Sequence, residues 1–219
     1  MGGSTLIDLV GSTFIGVFLL LAGLGLNENA HMNNFQTQEN LTVQQNLTTL
    51  IQLLEHDFRR IGYLKGGNFD PNDGCVLYGR KDSVVFRGDM DDSLRIDTVS
   101  WYSPDTSRFT PALRTRWGCA NRNVRLLIRK QYGKIPDTLV FGVTQFSLMY
   151  YNTFKQLIVD TSNSAACYIY PTSLPPPTLM QVNLMVQPLV AYGKDSTAYY
   201  QNFAFWTETR LVSRNLTAR

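Results

Sequence analysis

Close to its start the chain carries eighteen consecutive residues without a charge, positions 9–26, immediately after Asp8. As a helix rising about 1.5 Å per residue they cover about 27 Å, against ~30 Å for the hydrocarbon core of a bilayer. The layout argues against a cleaved secretory signal. No Lys or Arg precedes the run, and no small-x-small cleavage site separates it from a turn. Asp8 stands at the lip of this segment, where a carboxylate is costly unless it lies at the interface or meets a positive partner. That cost makes Asp8 a candidate functional residue. Gly11, Gly16, Gly23 and Gly25 fall inside the run, where membrane helices tolerate glycine and use it for close contact.

No proline occurs from Ser4 to Gly62. Beyond Asn27 the composition turns polar and an apolar stripe emerges at Val43, Leu47, Leu50, Ile51, Leu54, Phe58 and Ile61, the spacing of one helix face. Gln44, Gln45, Thr48, Thr49, Gln52, Glu55 and Arg59 fall opposite. Gly62 is a stop signal, and Arg59 and Arg60 suit the negative end of the helix. The pattern predicts one helix of nearly sixty residues, apolar all round in its first half and needing a partner on one side only in its second. After Tyr63 short runs recur at 83–87, 97–102, 124–130, 147–151, 179–186 and 203–212, separated by turn residues. Val182, Leu184 and Val186 alternate with Asn183, Met185 and Gln187, a half-buried strand. The prolines of 171–177 mark a loop that cannot continue a ladder. The expected class is α+β: a long N-terminal helix packed on an antiparallel sheet, with no internal repeat and no second domain.

Composition narrows the partners. The charged fraction of 17% is below the ~25% of soluble domains, and a net charge of +3 does not by itself imply nucleic acid. Cys75, Cys119 and Cys167 form no CxxC pair. In an exported domain they allow one disulfide and one thiol, and Cys75 with Cys119, flanking the first part of the sheet, is the preferred pair. Asp89, Asp91, Asp92 and Asp97 offer oxygen ligands without EF-hand spacing, so the run reads as a solvated hairpin turn. From Arg108 to Lys134 no acid occurs. Arg114, Arg116, Arg125 and Arg129 there form a candidate anion-binding patch, with Arg125 and Arg129 expected on one exposed face of a strand. No stacking or groove motif accompanies the charge, which argues against a nucleic-acid partner. His31 and His56 have no Cys or His at ligand spacing, so no metal site is expected. No GxSxG elbow or comparable signature appears, and neither an enzyme nor a cofactor is expected. Three Asn-Leu-Thr triplets, at Asn40, Asn46 and Asn215, read as chance sequons.

These residues resemble the type IV pilin-like proteins. Such proteins carry a leader ending in glycine and a mature N-terminus with an acid at its fifth residue. Here Gly3 would end the leader, Ser4 would be the first mature residue and Asp8 the fifth. Leu53-Leu54-Glu55-His56-Asp57-Phe58-Arg59-Arg60-Ile61-Gly62-Tyr63 is similar to the helix end of minor pilins of the PilW kind and of J-type minor pseudopilins of type II secretion. The stretches 96–102, 143–151 and 209–216 fit that subfamily's strand pattern. The family usually has Phe at the first mature position and Glu at the fifth, so Ser4 and Asp8 depart from it, and Asp8 reaches one methylene less far.

The resemblance implies a pilin fold. Residues 1–3 would be the leader, 4–26 the transmembrane and filament-core helix, 27–62 its amphipathic continuation and 63–219 the globular domain. It implies a minor pilin or pseudopilin, non-enzymatic, inserted in the inner membrane, with its domain exported and its helix later drawn into a filament. Its partners would be a prepilin peptidase, other minor pilins or pseudopilins and the major pilin. Asp8 would pair with the amine of a neighbouring subunit's first residue, which is commonly methylated. A shorter acid suits a special place such as a tip or initiating complex. The alternatives are a type II secretion pseudopilin, a competence pilus subunit, or an anchored binding protein that never polymerises.

Overall fold

A computed structural model describes residues 3–67, 75–158, 166–169, 177–190 and 203–212. The chain is α+β and falls into two compact units, Met1–Leu41 and Thr42–Arg219. The first helix, α1 (Gly3–Arg59), is 57 residues long and contributes to both. Nothing in its sequence interrupts it: there is no proline, and Thr37 and Thr48 bond back to the carbonyls of Asn33 and Gln44. It ends where Arg60 and Ile61 donate to the carbonyls of Asp57 and Phe58 in tight turns, and Gly62 then takes φ +68°. The Gly62 amide bonds the Arg87 carbonyl at 2.8 Å, so the turn that stops the helix also seats the chain on the sheet.

In the second unit β1 (Val76–Arg80), β2 (Ser83–Gly88), β3 (Asp97–Tyr102), β4 (Leu127–Gln131), β5 (Asp137–Leu139) and β7 (Ala166–Ile169) form one antiparallel sheet in the order β5-β4-β3-β2-β1-β7. A second antiparallel sheet, β6-β8-β9, holds β6 (Val143–Tyr151), β8 (Leu179–Val186) and β9 (Phe205–Val212). A 3-10 turn (Thr106–Arg108) and a short helix α2 (Pro111–Arg116) lie between β3 and β4. Three of these strands were not foreseen: β1, β5 and β7. β5 is only three residues long, too short for alternation to register, and Gly79 interrupts β1. That glycine is required, because a Cβ would lie 2.6 Å from the ring of Tyr150, which crosses it.

The stripe is buried as its spacing requires. Val43, Leu50, Leu54, Phe58 and Ile61 join Val84, Phe86, Val99 and Trp101 of the first sheet and Leu148, Tyr150, Val182 and Leu184 of the second in one hydrophobic core. Phe58 meets Phe86 edge to face at 5.6 Å between centroids. Each such side chain contributes about 1.5–3 kcal/mol by leaving water, so this part of α1 is held chiefly by its partners. In β8 the expected apolar face, Val182, Leu184 and Val186, lies in the core. The alternate face is also covered: Gln181 and Asn183 are buried and bond each other at 3.3 Å, and Tyr151 donates to Gln181. The central strand of a three-stranded sheet is shielded on both faces by its neighbours' side chains, which alternation alone does not reveal.

Candidate assembly helix and its dock

Residues 9–26 of α1 present an apolar surface on every side. Phe18, Leu19, Leu20 and Leu21 project about 100° apart and are all exposed, so no face is covered. Ser12 and Thr13, the two polar side chains of the segment, donate to carbonyls of the preceding turn. Nothing lies within 4 Å of a Cβ built on Gly11, Gly16, Gly23 or Gly25. This is a helix long and apolar enough to cross a membrane. Asp8 is exposed at its start, and among the described residues it has no hydrogen bond or ion pair. Gly3 and Ser4 belong to the first turn of α1.

At the other end of α1 an acid is enclosed. Asp57 is fully buried, following Leu50 and Leu54 on the apolar stripe at helical spacing. Its Oδ2 accepts from Trp101 Nε1 at 2.8 Å and from Arg129 Nε at 2.6 Å, while Oδ1 accepts from Arg129 Nη2 at 3.1 Å. His56 Nδ1 lies 3.3 Å from Oδ1, and Arg129 also reaches Asp137 at 3.5 Å. Hydrogen bonding to Asp57 holds the Arg129 guanidinium above its ordinary pKa. Trp101 and Arg129 are opposite each other in the β3–β4 register, so their side chains share the face turned to the helix. The ion pair ties α1 to two strands at one point. Sequence reasoning took Asp57 only as one letter of a motif; its seven-residue spacing from Leu50 was the available signal that it faces inward.

Arg60 closes the dock. Its Nη1 donates to the carbonyls of Asp89 and Met90 and pairs with Asp92 at 3.2 Å. Gly88 lies directly under the Arg60 carbonyl, leaving no room for a Cβ. The base of the β2–β3 loop, Asp89 and Met90, is therefore built around the helix end, while Asp91 and residues 93–96 are exposed as a solvated turn requires. Asp89 is fully buried and accepts from the amides of Ser93, Leu94 and Lys65. Asp97 accepts from the Met90 amide and Asp91 from Ser93. A hydrogen bond from Ser93 is the main reason the Asp91 carboxyl is held below its usual range, with Lys134 nearby adding to it. Carboxylate oxygens of Asp89, Asp91 and Asp97 lie within 4.8 Å of one another. Backbone amides already occupy these acids, and the loop geometry accounts for them.

The basic segment is divided by the fold. Arg129 faces the helix, contrary to the expectation of an exposed strand face. Arg114 donates to the carbonyls of Phe109, Asn121, Arg122 and Val124 and stacks on the Phe109 ring at 4.4 Å. It closes a small second cluster of Phe109, Cys119, Val124 and Leu126. The four-arginine patch is thus not a surface: two members are tied up internally, Arg116 is exposed and Arg125 is half-buried. Burial decides this, and composition could not. Cys75 and Cys119 are both free thiols, so the pair expected between them is not formed. Cys75 packs against the main core and Cys119 sits in the second cluster, and burial pushes both thiols above their ordinary pKa. The Cys167 side chain and most of the loop at 171–177 lie outside the described residues. No protein-family model matches this chain, and no curated protein or solved structure does.

Proposed function

We propose that this chain is a minor pilin or pseudopilin: a non-enzymatic subunit, inserted in the inner membrane through residues 9–26, that joins the tip or initiating complex of a type IV pilus-like filament. One observation carries the reading. A single N-terminal helix is apolar on all sides over its first half, has an acid at Asp8, and in its second half docks one stripe on antiparallel sheets. Such a helix suits transfer from lipid to a bundle of like helices, because both surroundings accept an apolar surface with no polar group left over. On this reading Gly3–Ser4 is the processing site, prepilin peptidase the processing partner, and other minor and major pilins the neighbours. Asp8 receives the amine of the next subunit's first residue. An unpaired charge in a dry core costs several kcal/mol, so the pairing also fixes axial register. The unusual Ser4 and the short reach of Asp8 favour a position at a filament end over one in a repeating shaft.

The test is intact mass and N-terminal sequencing of the protein from its native membrane. A start at Ser4 with a methylated amine is the expected result. A start at Met1, or beyond Leu26, would overturn the reading. Asp8→Ala separates it from a membrane-anchored protein that never polymerises: assembly is lost or misregistered in a filament subunit and unchanged in a simple anchor.

A further inference from the structure

The second sheet ends, among the described residues, in a strand with an unprotected edge. β9 is eight residues long and pairs with β8 in eight consecutive steps without a register shift. Among the described residues no strand lies on its other side. Its sequence, Phe-Trp-Thr-Glu-Thr-Arg-Leu-Val, holds no lysine, proline or glycine and is rich in strand-forming types. Edge strands are ordinarily kept short, bulged, charged with lysine, broken with proline or covered, because a free row of amides and carbonyls recruits further strands. The other edges follow that rule. β5 has three residues, and β7 has four and joins β1 through a register shift. In β6 the Leu148 amide is engaged by the Lys81 carbonyl at 2.7 Å. The inner face of β9 is anchored, with Leu211 in the main core and Phe205 packed against it. Its outer face presents Trp206, Glu208, Arg210 and Val212, of which Trp206 is 59% and Val212 46% exposed.

We infer that β9 is a homotypic interface: two copies of this chain join their β9 edges antiparallel, about a two-fold axis through Thr209, into one continuous sheet ordered β6-β8-β9-β9-β8-β6. The strand's own sequence selects both partner and register. Residues opposite each other in an antiparallel pair point to the same face, so a two-fold pairing of identical strands must centre on a residue. Centred on Thr209, Glu208 of each copy faces Arg210 of the other, and Trp206 faces Val212. Within one chain Arg210 pairs with Glu208 at 3.3 Å, so across the axis the four groups close into a ring of alternating sign. The neighbouring registers lose this match. Centring on Glu208 or Arg210 sets like charges face to face, centring on Thr207 sets Glu208 against Trp206, and centring on Leu211 sets Arg210 against Val212. Opposite charges, and an aromatic ring beside a β-branched side chain, are the cross-strand pairs that stabilise a sheet. The contact is isologous, so it closes at two copies and consumes the free edge. The inference does not rest on filament assembly.

The experiment uses the full chain in detergent micelles, which constrain neither copy's orientation, with mass read by light scattering across a dilution series. The parent is expected to show a monomer–dimer equilibrium. Glu208→Arg and Arg210→Glu each turn two attractive cross-strand pairs into two repulsive ones, raising the dimer dissociation constant about tenfold or more. Both variants keep the parent's Tm, because these side chains are exposed. An equimolar mixture of the two variants recovers the dimer, since one copy then offers two cations and the other two anions. A parent that stays monomeric throughout the series would overturn the proposal. So would variants that associate like the parent, which would place self-association in the apolar helix. Variants whose mixture stays monomeric at unchanged Tm would overturn it as well, and would mean that β9 takes another register or a strand of a different chain.

Discussion

The two halves of α1 share one backbone conformation and differ in where their side chains find partners. From Leu9 to Leu26 apolar residues point in every direction and none is covered by the chain itself. From Val43 onward they keep to one stripe, and Val43, Leu50, Leu54 and Phe58 are almost fully buried. A stripe can be satisfied by one sheet face, whereas an all-round apolar surface cannot be covered by a domain of this size. The first half therefore depends on lipid or other helices, and the second on its own chain. The same distinction recurs among charges: Asp57 and Arg129 complete each other inside the fold, while Asp8 has no partner among the described residues.

The widest separation between the halves comes from placing a carboxylate in each. Leu50→Asp is expected to abolish the folded domain, since a charge at a fully buried position costs several kcal/mol, and limited proteolysis would show it. Leu19→Asp is expected to leave the domain's Tm unchanged while weakening membrane insertion by about 3 kcal/mol. A domain that tolerates Leu50→Asp would break the helix-on-sheet account. Next in size is Asp57→Ala, which strands the Arg129 guanidinium and the Trp101 indole. Urea unfolding should register a loss of about 3–5 kcal/mol, whereas Asp137→Ala, at the exposed end of the same network, should stay within about 0.5 kcal/mol.

Smaller again is the contrast within the basic segment. Arg114→Ala frees four carbonyls and should cost about 1–3 kcal/mol, while Arg116→Ala should fall within about 0.5 kcal/mol. Equal effects would mean that the two arginines are not divided as described. Smallest is the effect of reductant, expected to leave the unfolding midpoint of the second unit unmoved because Cys75 and Cys119 are thiols. A loss near 3 kcal/mol on reduction would instead restore a disulfide.

Much of the architecture could be read from local pattern. The helix stop near Gly62, the stripe from Val43 to Ile61 and the strands β2, β3 and β8 all follow from periodicities that each residue carries independently. The β4 region was seen, but its outward assignment of Arg129 was not correct. A residue on a strand can face either side of its sheet, and alternation with Val124, Leu126 and Ile128 does not say which side holds the core. In the structure the regular strand begins at Leu127, and Arg129 shares a face with Trp101. The acidic loop misled in the opposite sense. Four aspartates within nine residues look solvated, yet Asp89 is the buried acceptor that organises the turn.

The sequence by itself determined the long helix and the regions of β2, β3, β4, β6, β8 and β9, that residues 9–26 are apolar on every side, and that the helix beyond Val43 needs one apolar partner surface. Those properties depend on neighbours a few positions apart, so composition and period suffice. Only the tertiary structure decided which charges are spent inside the fold. Asp57 meets Arg129 across 72 residues, Arg60 meets Asp92 across 32, and Arg114 turns back on its own loop. The worth of a charge depends on burial and on partners distant in sequence, and neither is encoded in the local pattern that makes a helix or a strand.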